Sequence, residues 1–144
     1  MEVEGSGIFT HAAYASLNLV ITHYHTVANC RPMSEKFIKL LLVEDNSGDV
    51  RLLREMLNEQ VPGKFALTDV GRMSEAESHL ASNAADIILL DLGLPDAQGL
   101  EAMRRAHEAA PRVPLVVLTG CNDELLADRA LQEGAQDFLV KGQI

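Results

Sequence analysis

The fold of this chain is decided by the stretch Asp86-Ile87-Ile88-Leu89-Leu90-Asp91-Leu92-Gly93-Leu94-Pro95-Asp96. Its apolar run, residues 87–90, is short and uninterrupted, which is typical of a parallel strand covered on both faces. Asp91 follows directly, and Gly93 and Pro95 then break regular structure. Because open α/β sheets bind ligands at the carboxyl ends of their strands, Asp91 is a candidate functional residue. The alternative is an acid that only caps a turn.

The sequence around this stretch alternates between strand and helix patterns. Apolar runs predict strands at residues 38–43, 64–70, 86–91, 115–119 and 136–140. Apolar residues at helical spacing between them predict helices that carry Leu53, Met103 and Leu126 on their inner faces. Strands that alternate with helices over short loops predict a parallel sheet with helices on both faces. Since crossovers are right-handed, the simplest arrangement is an α/β fold with a five-stranded, doubly wound sheet.

Local signals predict where the helices begin and end. Asn46 or Ser47 can cap the first helix, which Pro62-Gly63 stops. Ser74-Glu75-Ala76-Glu77 has the pattern of a capping box, so we expect it to open the second helix. Gly134 is expected to close the fourth helix.

Composition and charge restrict the class of protein. The chain has 144 residues, of which 47% are hydrophobic and 4% aromatic, so we expect one main domain with an aliphatic core. The net charge of −9 argues against nucleic-acid binding. The sequence has neither a signal peptide nor a membrane-spanning run. Its two cysteines have no pairing signature, which favours a cytoplasmic location.

Residues 1–32 differ from the remainder and are interpreted as a leader. Met33 has the context of a natural start, so residues 33–144 would form the domain proper. An apolar stripe from Phe9 to Ala28 has helical spacing, although many threonines and valines weaken the helix prediction. The alternatives are an amphipathic helix and a disordered extension. His23 and His25 make a weak metal site, since a structural zinc site usually needs four ligands.

Four predicted strands end in polar residues that can carry chemistry. These residues are Glu44-Asp45, Asp91, Thr119 and Lys141. In a parallel sheet their strand ends lie at one edge. Each has a simple alternative role: a solvated loop for the first pair, a turn former for the threonine and a surface charge for the lysine. Four matching ends nevertheless favour a functional site.

The residue types at this edge fit phosphoryl transfer to a carboxylate. Three carboxylates in a small space repel one another, which raises their pKa values unless a cation lies among them. Oxygen ligands at a water-accessible edge suit Mg²⁺. The lysine and the threonine would neutralise a phosphoryl group, with Asp91 as the nucleophile. Cys121 is nearby in sequence, but a small loop residue is the simpler interpretation than a catalytic thiol.

The sequence closely resembles the receiver domain of two-component response regulators over residues 38–141. The motifs that carry the resemblance are Leu42-Val43-Glu44-Asp45-Asn46, Asp91-Leu92-Gly93-Leu94-Pro95-Asp96 with Gly99, Leu118-Thr119-Gly120, and residues 134–141, which read Gly-Ala-Gln-Asp-Phe-Leu-Val-Lys. The resemblance implies a flavodoxin-like sheet with strand order 2-1-3-4-5. The family's fifth helix is absent from the chain, which ends at Ile144. Without that helix, Leu40, Leu42 and Leu139 are expected to be partly exposed unless the leader covers them.

The resemblance also implies the roles of the site residues. Asp91 would accept a phosphoryl group from a partner histidine kinase or histidine phosphotransfer protein. Asp45, Asp91 and the carbonyl of Gly93 would ligate Mg²⁺, with Glu44 acting through water. Thr119 and Lys141 would contact the phosphoryl oxygens. A switch formed by Thr119 and Phe138 would link phosphorylation to an interaction face.

Two other functions fit these residues less well. A docking module that is never phosphorylated has no need of the acids, the threonine and the lysine. A phosphatase that forms an aspartyl phosphate is disfavoured because Gly93 stands where a second acid would be needed. On this interpretation the protein is not a classical enzyme, and its only chemistry is its own phosphorylation and dephosphorylation. An effector domain beyond Ile144, the cognate kinase and a homodimer all remain open.

Overall fold

The computed structural model describes residues 37–60, 63, 65–119 and 124–140. The predicted leader at residues 1–32, Cys121 and Lys141 lie outside these residues. For six further residues the backbone alone is described; these are Gln60, Thr119, Glu124, Asp137, Leu139 and Val140.

A parallel sheet of five strands forms the centre of the described chain. The strands are β1 Ile38–Val43, β2 Phe65–Val70, β3 Ile87–Asp91, β4 Leu115–Thr119 and β5 Asp137–Val140. They lie in the order β2-β1-β3-β4-β5 and every neighbouring pair is parallel. This topology confirms the prediction, and each strand ends at the residue that the sequence predicted.

Four helices connect these strands in the described chain. They are α1 Ser47–Gln60, α2 Met73–Ser82, α3 Leu100–Ala109 and α4 Glu124–Gln132. None of the helices among the described residues is long and apolar enough to cross a membrane.

The sheet separates the apolar interior into two cores. The first core packs α1 against one face and includes Leu53 and Leu57. The second core packs α2, α3 and α4 against the other face and includes Met103. Strand β3 contributes to both, and residues 87–90 are each no more than 2% exposed. The uninterrupted apolar run of β3 therefore reflects burial on both faces, as predicted.

Partial exposure, expected for Leu40, Leu42 and Leu139 on an uncovered face of the sheet, is not observed at Leu40 and Leu42, and the Leu139 side chain lies outside the described residues. Leu40 is 2% exposed and Leu42 is fully buried. Both lie in the first core with Leu53, Met56 and Leu57 of α1. The predicted covering role of the leader lies outside the described residues.

Two of the predicted helix boundaries are confirmed. The Asn46 side-chain Oδ1 accepts a hydrogen bond of 3.0 Å from the Asp49 backbone N–H, so Asn46 caps α1. At the end of α4, Gly134 has φ of 118°. The Gly134 N–H donates to the Leu131 carbonyl and the Ala135 N–H to the Ala130 carbonyl, at 3.2 and 2.9 Å. This pair of bonds is a Schellman motif, whose left-handed position favours glycine.

The predicted capping box at residues 74–77 is wrong. Helix α2 begins at Met73, one residue before Ser74, and its N-cap residue, Arg72, makes no side-chain cap hydrogen bond. Met73 is the first helical residue, and its side chain is fully buried in the second core, which anchors the start of α2. The first amides of α2 are instead bound by the carboxylate of Asp96 in the loop after β3.

Candidate functional site

Three acidic side chains meet at the carboxyl edge of the sheet. Glu44 and Asp45 follow β1, and Asp91 is the last residue of β3. Each offers a carboxylate oxygen, and these oxygens lie within 4.8 Å of one another. The strand register explains the convergence, because Val43 of β1 is paired with Leu90 of β3. We call these three residues the acid cluster.

The members of the acid cluster differ in exposure. Glu44 is only 3% exposed, and its Oε2 accepts a hydrogen bond of 3.2 Å from the Asn46 backbone N–H. Its own backbone N–H donates to the carbonyl of Val70 at the end of β2, at 2.9 Å. Asp45 is exposed and Asp91 is half-buried. The cluster therefore has an inner wall and a side open to water.

The electrostatics of the acid cluster favour a bound cation. Carboxylates this close repel one another when all are ionised, and a divalent cation between them relieves that repulsion. A donor set of carboxylate oxygens with access to water fits Mg²⁺, which keeps several of its waters. The arrangement is thus compatible with Mg²⁺, as the sequence predicted.

The loop of residues 92–99 places Gly93 directly beside Asp91. The Gly93 N–H donates to Asp91 Oδ1 at 3.2 Å. Gly93 is also bridged to Gln98, and the Leu94 N–H donates to the Ala97 carbonyl at 3.1 Å. Leu92, Leu94 and Ala97 are buried in the second core, which anchors the loop. A Cβ added at Gly93 would lie 3.9 Å from Asp91 Oδ1, so a side chain there would border the carboxylate.

Asp96 was not predicted as a site residue, yet it connects this loop to α2. Its Oδ1 accepts from the Met73 N–H at 2.8 Å and its Oδ2 from the Ser74 N–H at 3.0 Å. The Ser74 backbone N–H is the main cause that holds the pKa of the Asp96 carboxyl below its usual value. Asp96 and Met73 are 23 residues apart in sequence, so no local pattern could have indicated the contact.

Arg105 of α3 fixes the same loop from its other side. Its Nη1 donates to the Asp96 backbone carbonyl at 3.2 Å. Its Nε and Nη2 donate to the Glu77 carboxylate at 2.9 and 2.8 Å. The hydrogen bond from Arg105 is the main cause that lowers the pKa of Glu77. Glu77 therefore binds α3 and does not take part in the capping box that the sequence suggested.

The remaining predicted site residues lie further along the carboxyl edge or outside the description. The backbone of Thr119 ends β4, one residue after Leu118, which is paired with Asp91. Phe138 of β5 is half-buried against the second core. Because Lys141 and the Thr119 side chain lie outside the described residues, their predicted contacts and the proposed switch stay predictions.

The fold and the acid cluster together define a receiver domain. The family model of the response regulator receiver domain matches residues 40–143. This chain belongs to that family, in agreement with the resemblance found in its sequence.

Curated relatives are regulatory proteins that are longer than this chain. LuxO of Vibrio cholerae is 35% identical over 100 residues, which cover 69% of this chain and 21% of LuxO. The swarming motility regulation protein RssB of Serratia marcescens is 34% identical over 104 residues, covering 72% of this chain and 46% of RssB. The chain therefore spans less than half the length of these relatives.

Solved structures of receiver domains have a similar fold. The receiver domain of the sensor histidine kinase PA1611 from Pseudomonas aeruginosa is 30% identical with a TM-score of 0.59, covering 72% of this chain and 84% of that one. That structure has a magnesium ion coordinated in its active-site cleft. The phosphorylated cyanobacterial phytochrome response regulator RcpA is 27% identical with a TM-score of 0.63, covering 72% of this chain and 80% of that one.

Proposed function

We propose that this chain is a phosphoryl-accepting receiver in which Asp91 is the phosphorylated residue. The observation that carries the proposal is the acid cluster, in which Asp91 ends the central strand beside Glu44 and Asp45. The donor would be a phosphohistidine on a partner kinase or on a histidine phosphotransfer protein. Phosphorylation would then change a surface that other proteins or domains bind.

The proposed reaction is a direct transfer between two side chains. An oxygen of the Asp91 carboxylate attacks phosphorus and forms a P–O bond. The P–N bond to the donor histidine breaks, and the imidazole leaves with the electron pair and takes up a proton. With acetyl phosphate as donor, the P–O bond to the acetyl group breaks and acetate leaves. In either case the product on this chain is an acyl phosphate at Asp91.

Asp45, Asp91 and the backbone carbonyl of Gly93 are the proposed Mg²⁺ ligands, and Glu44 would act through water. The support is the short separation of the carboxylate oxygens and the position of Gly93, whose N–H already binds Asp91. Bound Mg²⁺ would offset negative charge on the phosphoryl oxygens. Glu44, held by the Asn46 N–H, would keep an acceptor oriented toward the cation's water.

Lys141 and Thr119 are proposed to complete the site from the neighbouring strands. Thr119 ends β4 and Lys141 directly follows β5, and the register pairs Thr119 with Val140. An ammonium and a hydroxyl at these positions would bind phosphoryl oxygens. Movement of Thr119 toward the phosphoryl group is proposed to be coupled to Phe138 of β5, which is packed against the second core.

The partners of the whole protein are also part of the proposal. The relatives LuxO and RssB are regulatory proteins in which the matched region is 21% and 46% of the length. By analogy, we propose that this receiver controls an effector domain, located either in its own protein or in a partner. The acidic charge of −9 makes the receiver itself a poor nucleic-acid binder.

The proposal is tested by intact-mass spectrometry after incubation with acetyl phosphate. In Mg²⁺ buffer we expect one phosphoryl group per chain, and after Mg²⁺ is chelated with EDTA we expect none. The adduct should be released by neutral hydroxylamine, because this nucleophile cleaves acyl phosphates at the carbonyl carbon whereas phosphate monoesters of serine persist. Absence of any adduct in Mg²⁺ would contradict the proposal and favour a docking module that is never phosphorylated.

The small residue at position 93 is expected to shorten the lifetime of the phosphoryl group. Since a Cβ there would lie 3.9 Å from Asp91 Oδ1, a longer side chain would restrict the approach of water to the acyl phosphate. We expect Gly93→Met to slow self-hydrolysis roughly three- to tenfold, which is about 0.7–1.4 kcal/mol in the barrier. The decay of the adduct in Mg²⁺ buffer, after removal of acetyl phosphate, measures this rate.

Gly93→Ala is the matched control for this prediction. It makes the same backbone change but extends only one carbon toward the carboxylate, so its rate should fall between those of the wild type and Gly93→Met. An unchanged or faster decay in Gly93→Met would refute the steric explanation.

A further inference from the structure

Asp96 connects two segments that flank the acid cluster. Its carboxylate binds the first two amides of α2, those of Met73 and Ser74, at 2.8 and 3.0 Å. Asp96 itself belongs to the loop after β3, three residues beyond Gly93. We call these two hydrogen bonds the Asp96 clamp.

On one side of the clamp, the start of α2 is fixed to the end of β1. Gly71 precedes α2, and a Cβ added to it would lie 3.7 Å from the Cα of Asp45, so the two backbones are in close contact. The Gly71 N–H is held by the Glu75 carboxylate at 3.0 Å. The preceding residue, Val70, accepts the Glu44 N–H. A shift of the α2 terminus would therefore disturb the segment that carries Glu44 and Asp45.

On the other side of the clamp, the loop is fixed to the end of β3. The Gly93 N–H binds Asp91 Oδ1, and the Gly93–Gln98 bridge closes the loop around Asp96. The Gly99 N–H donates to the Leu92 carbonyl at 2.7 Å. A shift of Asp96 would therefore be passed to Gly93 and Asp91.

From these contacts we infer that Asp96 is a positioning residue that sets the separation of Asp45 and Asp91 and thereby the affinity of the acid cluster for a divalent cation. The inference rests on the proposed function, in which these residues hold Mg²⁺. The Asp96 clamp closes a ring of contacts that runs from Asp45 through Gly71, the first turn of α2, Asp96 and Gly93 to Asp91. With the ring closed, the repelling carboxylates cannot move apart when no cation is bound.

Arg105 keeps the clamp in its orientation. It donates to the Asp96 backbone carbonyl at 3.2 Å while its other nitrogens bind Glu77 of α2. The guanidinium therefore contacts both segments that the clamp joins. The lowered pKa values of Asp96 and Glu77 agree with both carboxylates being ionised at neutral pH. Arg105 is a second positioning residue that acts through Asp96.

The test is a Mg²⁺ titration of the full chain by calorimetry or by NMR. In Asp96→Ala both acceptor oxygens are lost, and we expect the Mg²⁺ dissociation constant to rise about tenfold, at the lower end of the effect of outer partners in metal sites. In Asp96→Asn one acceptor oxygen remains, so the dissociation constant should lie between those of the wild type and Asp96→Ala. In Asp96→Ala, the amides of Met73 and Ser74 should also lose protection from hydrogen exchange.

The controls remove comparable side chains away from the clamp. Asp69→Ala removes an exposed aspartate of β2 that pairs with Arg54 of α1. Arg104→Met changes the residue next to Arg105 on α3. The Arg104 side chain is 60% exposed, and its Nε lies 3.7 Å from Glu133 Oε1. Both controls should leave the Mg²⁺ dissociation constant unchanged, whereas Arg105→Met should raise it.

Two outcomes would overturn the inference. One is loss of amide protection in Asp96→Ala with no change in Mg²⁺ affinity, which would make the clamp a helix cap without influence on the site. The other is a wild-type chain that binds no Mg²⁺, which would also remove the metal part of the proposed function. A wild-type chain that binds Mg²⁺ but takes no phosphoryl group would refute the proposed function and leave the role of Asp96 standing.

Discussion

Replacement of Asp91 by asparagine is expected to abolish labelling by acetyl phosphate. The asparagine amide oxygen carries no full negative charge and is a poor nucleophile, so the rate should fall by at least about 10³-fold, as expected when a nucleophile is removed. The fold should be retained, since asparagine has nearly the same shape and its Oδ1 can still accept the Gly93 N–H. Intact-mass spectrometry in Mg²⁺ measures the result.

Asp69→Asn is the matched control for this variant. Asp69 is an aspartate on β2 that lies outside the acid cluster and pairs with Arg54 at 2.7 Å. The Asp69→Asn variant should be labelled by acetyl phosphate like the wild type. Continued labelling of Asp91→Asn at the wild-type rate would assign the phosphoryl group to another residue.

Asp45→Ala is expected to remove Mg²⁺ binding while making the metal-free protein no less stable. Loss of a direct ligand should weaken binding by more than about 100-fold, since outer partners alone are worth 10- to 100-fold. Without the cation, one carboxylate fewer reduces the repulsion in the acid cluster. In the wild type, Mg²⁺ at 100 times its dissociation constant should add about 2.7 kcal/mol to the free energy of unfolding. At the same Mg²⁺ concentration that increment should fall to about 0.4 kcal/mol or less in Asp45→Ala.

Urea unfolding with and without Mg²⁺ measures both effects. Glu55→Ala is the control, because it removes one negative charge from an exposed position on α1. It should keep the Mg²⁺ increment, which separates ligation from a change in net charge. An increment of the wild-type size in Asp45→Ala would place the cation elsewhere.

Short-range patterns were sufficient to predict a five-stranded parallel sheet and the acid cluster, whereas the strand order was implied by the family resemblance. The apolar run before Asp91 identified β3, because a strand buried on both faces has no polar alternation. The convergence of Glu44, Asp45 and Asp91 followed from parallel pairing alone, which places equivalent strand ends at one edge. Asn46 and Gly134 were identified for the same reason, since capping depends on residues within a few positions.

Contacts between distant segments could not be predicted in the same way. Ser74 and Glu77 fit a local capping pattern, but a carboxylate 22 residues further along the chain occupies the Ser74 amide. Glu77 instead binds Arg105, 28 residues away. The burial of Leu40 and Leu42 likewise depends on how the elements pack across the sheet, which their own strand does not reveal. Local patterns thus located the acid cluster at the carboxyl edge of the sheet, but not the contacts between distant segments that fix the surrounding loops.

The division of the interior by the sheet determines which substitutions should influence one another's effect on stability. Leu53 belongs to the core on one side of the sheet and Met103 to the core on the other, and no described residue is a buried member of both cores. Effects at sites without shared partners usually add, whereas neighbours in one cluster compensate or conflict. Substitutions in the core beside α1, arising in evolution or design, should therefore not require compensating substitutions in the core beside α3. Strands β1, β3 and β4 are constrained from both sides, since successive residues of each strand alternate between the two cores.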